Sequence, residues 1–128
     1  MYNCSTAGGV DLSRQALGRF GEARAARYLE SIGYQVVERN WRSRAGEVDL
    51  VALDADCLVF VEVKTRSSLN FGSPAAAISP AKLARLRRLA GAYLAERRPG
   101  VDKVRIDVVA VLTGGGPNRL QHFKAVQS

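Results

Sequence analysis

A chain of 128 residues with 47% apolar content is long enough for one ordinary core and short for two, so a single domain is expected. Nineteen basic against twelve acidic residues leave a net charge of +7, and fifteen of the basic residues are arginine, whose planar fork grips phosphate at two points, so the composition favours a polyanion partner. One histidine, His122, and two cysteines, Cys4 and Cys57, are too few for a zinc cage, a disulfide framework or a Ser-His-Asp hydrolase; His122 reads as a structural residue, both thiols read as free, and any metal must sit on oxygen ligands.

No apolar run is long enough to cross a bilayer and the N-terminus lacks the pattern of a secretory leader, so a cytoplasmic location and no membrane partner are expected. Residues 1–12 have little periodicity and read as a flexible tail, with residues 13–128 as the domain. Ser13 is a candidate helix cap, with Leu12 and Leu17 placed as a hydrophobic staple. Leu17, Phe20, Ala25, Tyr28, Leu29 and Ile32 then recur at helical spacing, and Gly33 supplies the stop.

Three strands follow: Tyr34 to Arg42, Glu47 to Leu53 and Cys57 to Thr65, joined by connections too short for a crossover and hence antiparallel. The segment Arg66 to Ile78 has no period and reads as a loop. Ser79 caps a second helix with Pro80 in its first turn, running to about Arg98 with a buried stripe of Leu83, Leu86, Ala90, Tyr93 and Leu94. The β-branched run Lys103 to Leu112 is a buried strand extending the sheet in parallel. Gly114-Gly115-Gly116-Pro117 is a turn, and Leu120 to Lys124 a final edge strand. The fold class is α/β, a mixed sheet flanked by helices.

Charges inside the second and third strands carry the chemistry. Alternation puts Glu47 and Asp49 on one face of the former, and Glu62 and Lys64 on one face of the latter. A two-residue turn at Ala55-Asp56 sets Asp54 opposite Cys57, Asp49 across from Glu62 and Glu47 across from Lys64. Two facing carboxylates are hard ligands that leave room for waters and a phosphate around Mg²⁺ or Mn²⁺, and a neighbouring lysine can hold an attacking water or neutralise phosphate charge. An ordinary wet sheet face, with Glu47 and Lys64 as a cross-strand ion pair, explains the same pattern without function. Lys82, Arg85 and Arg88 line one helix face and could follow a nucleic-acid backbone; a solvated charged face is the bland alternative.

The series Phe20-Gly21-Glu22, Tyr28-Leu29, Asn40-Trp41-Arg42, Gly46-Glu47-Val48-Asp49-Leu50-Val51, Phe60-Val61-Glu62-Val63-Lys64-Thr65-Arg66, Phe71-Gly72-Ser73-Pro74 and Asp107-Val108-Val109-Ala110-Val111 resembles the YraN-like family of uncharacterised bacterial proteins. Asp49 with Glu62-Val63-Lys64 on a hairpin between helices also resembles the core of the PD-(D/E)XK, or restriction-endonuclease-like, nucleases. The resemblance implies an αβββαβ core, a metal set of Asp49, Glu62 and Val63, and Lys64 as catalytic lysine. Similarity to Holliday junction resolvases adds Glu22, with Glu47 as a further carboxylate of the site. Val48 stands where the superfamily's pattern has proline.

The expectation is therefore a Mg²⁺- or Mn²⁺-dependent endonuclease acting on DNA, branched or damaged DNA included. Arg42, Arg44, Arg66, Lys82, Arg85 and Arg88 are candidate nucleic-acid contacts, and symmetric cutting would require a homodimer. The alternative from another class is a nucleic-acid-binding module that keeps the nuclease shape and acts through partners.

Overall fold

Among the described residues, two helices and a five-stranded sheet follow from these patterns. A computed structural model describes residues 9–66, 78–112 and 119–126, with side chains from residue 16 onward. Along it run helix α1 (Gly9–Ser31), strands β1 (Gln35–Ser43), β2 (Gly46–Asp54) and β3 (Cys57–Arg66), helix α2 (Pro80–Arg97), and strands β4 (Lys103–Leu112) and β5 (Arg119–Phe123). Cys4, the 67–77 part of the expected loop with its Phe71-Gly72-Ser73-Pro74, and the Gly114–Pro117 turn lie outside the described residues. Spatial order is β1-β2-β3-β4-β5, with β3 and β4 parallel and the other pairs antiparallel. The mixed sheet and the αβββαβ order match the expected class.

The expected start of α1 is corrected. The helix begins at Gly9, so Ser13 lies within it and the Leu12 to Leu17 staple marks no boundary. Nothing between Gly9 and Ser13 breaks a helix, and once nucleated each further residue adds a hydrogen bond. The other end is as read: Gly33 turns at φ 97°, the Gly33 N–H donates to the Glu30 carbonyl and the Tyr34 N–H to the Leu29 carbonyl, a Schellman closure.

The stripe of α1 is corrected as well. Leu17, Phe20 and Ile32 are exposed, at 42%, 50% and 43%, while Ala25, Ala26 and Leu29 are buried. Gly21, Ala25 and Leu29, four apart, form the contact line, and small residues there let the helix lie close to the sheet. A Cβ at Gly21 would come within 2.0 Å of Thr65 Oγ1. That closeness decides the helix rotation and turns the bulkier side chains outward.

Helix α2 starts as expected, with Ser79 Oγ accepting from the Lys82 N–H at 3.1 Å, and its buried residues are Leu83, Leu86, Leu89, Ala90 and Tyr93. Each helix covers one face of the sheet. On the α2 side Trp41, Val48, Val51, Leu58, Phe60, Ile106 and Val108 form one core; on the α1 side Leu50, Ala52, Val59, Val61, Val109 and Val111 form the other.

A buried polar network joins the elements away from the hairpin's charged end. Asp107, fully buried, accepts from Arg105 Nε at 2.9 Å, from His122 Nε2 at 2.7 Å and from the Ala125 N–H at 3.0 Å. Arg105 also donates to Asp54 Oδ2 at 3.0 Å and to the Tyr34 hydroxyl. Because an ionised Asp107 can only accept, His122 donates through Nε2, and its Nδ1 takes the Tyr28 O–H at 3.0 Å. His122 is thus the satisfied structural histidine that the composition implied. Burial alone would raise the Asp107 pKa, but the His122 and Arg105 hydrogen bonds outweigh it and hold the carboxyl below its ordinary value.

Candidate functional site

The β2–β3 ladder runs from Asp54↔Cys57 to Leu50↔Val61. Asp49 and Glu62 are the first residues beyond it, where the two-residue turn predicts they should face. Beyond that point the expectation changes. Glu47 has Arg42 of β1 as its Cα partner, at an ion-pair distance of 3.8 Å, so an opposition of Glu47 to Lys64 is not part of the ladder. Glu47 and Asp49 do not simply share a face either. Val48 and Leu50, two residues apart, are buried in opposite cores, so the strand's alternation breaks at Asp49.

The break frees Asp49 to turn toward its neighbour strand. Its Oδ2 accepts the Val63 N–H at 2.8 Å, a side chain taking the place of a ladder carbonyl. Val63 has no side-chain donor atom, and its main chain is what serves the site. Glu62 is 8% exposed, and Lys82 Nζ from α2 lies 3.4 Å from its Oε2. Lys64 follows two residues along β3, half-buried, on the same side of the strand as Glu62.

Asn40, absent from the expected site set, organises the other half. It sits at φ 53°, a left-handed conformation that asparagine tolerates better than most residues, between the paired residues Arg39↔Leu50 and Trp41↔Val48. With its amide nitrogen turned inward it donates to Glu22 Oε1 at 3.1 Å and to Glu47 Oε2 at 2.7 Å. Glu22 is thereby brought to Asn40 and Glu47 from α1. The signal in the sequence was an asparagine, a poor strand former, inside a β run.

Electrostatics report the same convergence. Burial first, then the charge of Glu62, push the Asp49 pKa up to about 7, against the pull of the Val63 hydrogen bond; Glu22 and Glu47 add to the rise. Burial also raises Glu22, opposed by Asn40 and reinforced by Glu47 and Glu62. Among the described residues no group of three or more His, Cys, Asp or Glu is placed to hold a metal ion. A hard divalent cation that keeps several waters needs only one or two carboxylates. Asp49 Oδ1 and Glu62 supply that number, and the mutual repulsion recorded in the Asp49 shift is what a cation relieves, so the residues fit such an ion.

The candidate cations surround this notch unevenly. Arg42 and Arg44 are exposed on β1 and the turn after it, and Arg85 passes over Gly46, its Cδ 3.5 Å from where a Cβ would stand. Arg66 is exposed at the end of β3, and Arg88 is exposed on α2. Lys82 is instead turned to Glu62.

Architecture and notch define an α/β protein with an αβββαβ core whose carboxylates gather where the second and third strands part. Sequence comparison places it further. The model of the uncharacterised protein family UPF0102 matches residues 21–111, and the chain belongs to that family. A UPF0102 protein of Beutenbergia cavernae is 56% identical over 115 residues, covering 89% of this chain and 98% of the relative. Those of Pseudarthrobacter chlorophenolicus, 50% identical over 115 residues (89% and 87% of the two chains), and of Rhodococcus opacus, 50% over 110 residues (85% and 93%), are similar at nearly the same level. Among the described residues no helix is long and apolar enough to cross a membrane.

Proposed function

We propose that this protein is a Mg²⁺- or Mn²⁺-dependent endonuclease that hydrolyses DNA phosphodiesters, with branched or damaged DNA as its substrate class. The observation that carries the reading is Asp49, fixed on the Val63 amide beside Glu62 and pushed up in pKa to about 7 by burial first and then by the charge of Glu62. Asp49 and Glu62 would hold the ion, which when bound supplies charge stabilisation on the phosphoryl oxygens and a more acidic water. Lys64 orients the attacking water or neutralises the charge that develops on the phosphate as the P–O bond to the leaving oxygen breaks. Glu22 and Glu47, bridged by Asn40, set the notch's shape on the α1 side. The arginines of β1, the following turn and α2 hold the flanking phosphates.

Linear, flap and four-way-junction DNA incubated with Mg²⁺ or Mn²⁺ tests the reading. Cleavage of at least one structure is expected, with Asp49→Ala and Lys64→Ala each lowering the rate by about 10² or more while the circular dichroism spectrum is kept. Activity that survives both changes refutes it.

One observation favours a second reading, a nucleic-acid-binding module without hydrolysis. Glu62 already has an internal cation in Lys82, so the notch is partly neutralised by protein alone. Such a module would bind DNA with a steep salt dependence and be indifferent to divalent metal and to Asp49→Ala.

A further inference from the structure

Lys82 stands three residues after the Ser79 cap, where a capping box carries Glu or Gln to reach back to the cap's own N–H. No acidic residue occupies the first turn of α2, so the positive end of the helix meets an ammonium rather than a carboxylate. A residue that breaks a local rule in this way is a mark of a functional position. Its compensation lies across the fold, in the 3.4 Å pair with the nearly buried Glu62. The Ser79 hydroxyl, accepting the Lys82 N–H, fixes the root of the side chain, whose surface is 35% exposed. The ammonium therefore reaches both Glu62 and the solvent at the mouth of the notch.

We propose that Lys82 is the resident counter-ion of Glu62 in the metal-free protein and passes to a substrate phosphate oxygen when a divalent cation takes Glu62. This rests on the metal and DNA parts of the reading above and adds a second lysine, from α2, to the site. An ammonium and a divalent cation compete for the same carboxylate, and the phosphate carried by DNA is the anion at hand for the one displaced.

The exchange predicts two effects of opposite sign in the intact protein. Lys82→Met should bind Mn²⁺ about two- to fivefold more tightly, followed by calorimetry or electron paramagnetic resonance, because its competitor is gone. The same variant should bind a fluorescent four-way junction in Ca²⁺ about three- to tenfold more weakly, with the slope of log affinity against log salt reduced by about 1. Lys82→Arg should recover junction binding, and both variants should keep the wild-type circular dichroism spectrum. A static structural pair would leave Mn²⁺ affinity unchanged or weaker in Lys82→Met, and that result overturns the proposal, as does unchanged junction binding or a wild type that binds no Mn²⁺. Both shifts in a protein that never cuts DNA would refute hydrolysis and keep the exchange. Cutting with neither shift would do the reverse.

Discussion

One oxygen of Asp49 is committed to the Val63 N–H, which leaves Oδ1 for a ligand and makes this side chain both strand fastener and donor. Its titration has a direct consequence for stability. Between its ordinary value of 3.8 and about 7 the folded protein holds a proton that the unfolded chain has lost, so the contribution of this group is greatest at low pH and declines as pH rises through that window. Urea denaturation of the metal-free protein should show the decline as a difference between wild type and Asp49→Asn, whose curve lacks it; parallel curves from pH 4 to 7.5 would contradict the assignment. Asn40 gives a second expectation at this scale. Glycine accepts φ 53° but cannot bridge Glu22 and Glu47, so Asn40→Gly should keep its melting behaviour while Mn²⁺ binding weakens about tenfold. Asn40→Val adds strain of about 1–2 kcal/mol from the left-handed backbone, visible as a lower urea midpoint.

Helix α1 is set by one close approach. Gly21→Ala should destabilise by about 1–3 kcal/mol, since the new methyl meets Thr65 Oγ1, and Thr65→Ala in the same chain should regain most of that loss in a double-mutant cycle. Additive losses would mean that the two positions do not touch. The rotation of this helix was only partly legible in the sequence: Ala25 and Leu29 stand on the expected stripe, but counting apolar residues also favours Leu17, Phe20 and Ile32 as core, whereas Gly21, which sets the close approach, carries no hydropathy signal. The hairpin was legible, because a two-residue turn leaves one register and Asp54, Ala55, Asp56 and Cys57 spell it. The start of α2 was legible for the same local reason, through Ser79 and Pro80. What period-two reasoning could not supply is the break at Asp49, since it arises from the left-handed turn of Asn40 on the adjoining strand and from a side chain replacing a ladder bond. The pairing of Lys82 with Glu62 joins residues twenty apart and is likewise tertiary.

Across the sheet, the Asp107 network connects α1, Tyr34 just before β1, the first half of β4, the end of β2, β5 and Ala125 beyond it. Asp107→Ala strands Arg105 and His122 without their shared acceptor and should cost about 3–5 kcal/mol in urea unfolding. A loss below about 1 kcal/mol would show that the network contributes specificity rather than stability. The sheet's outer border has a different consequence, for self-association. β1 carries an irregularity between Val36 and Glu38, a left-handed residue at Asn40, and the charged Glu38, Arg39 and Arg42, so its free rim is bent, interrupted and ionic. A neighbouring copy has no straight row of amides to zip onto there. Any pair of copies of this chain must therefore meet away from β1, which keeps this border out of a continuous intermolecular sheet.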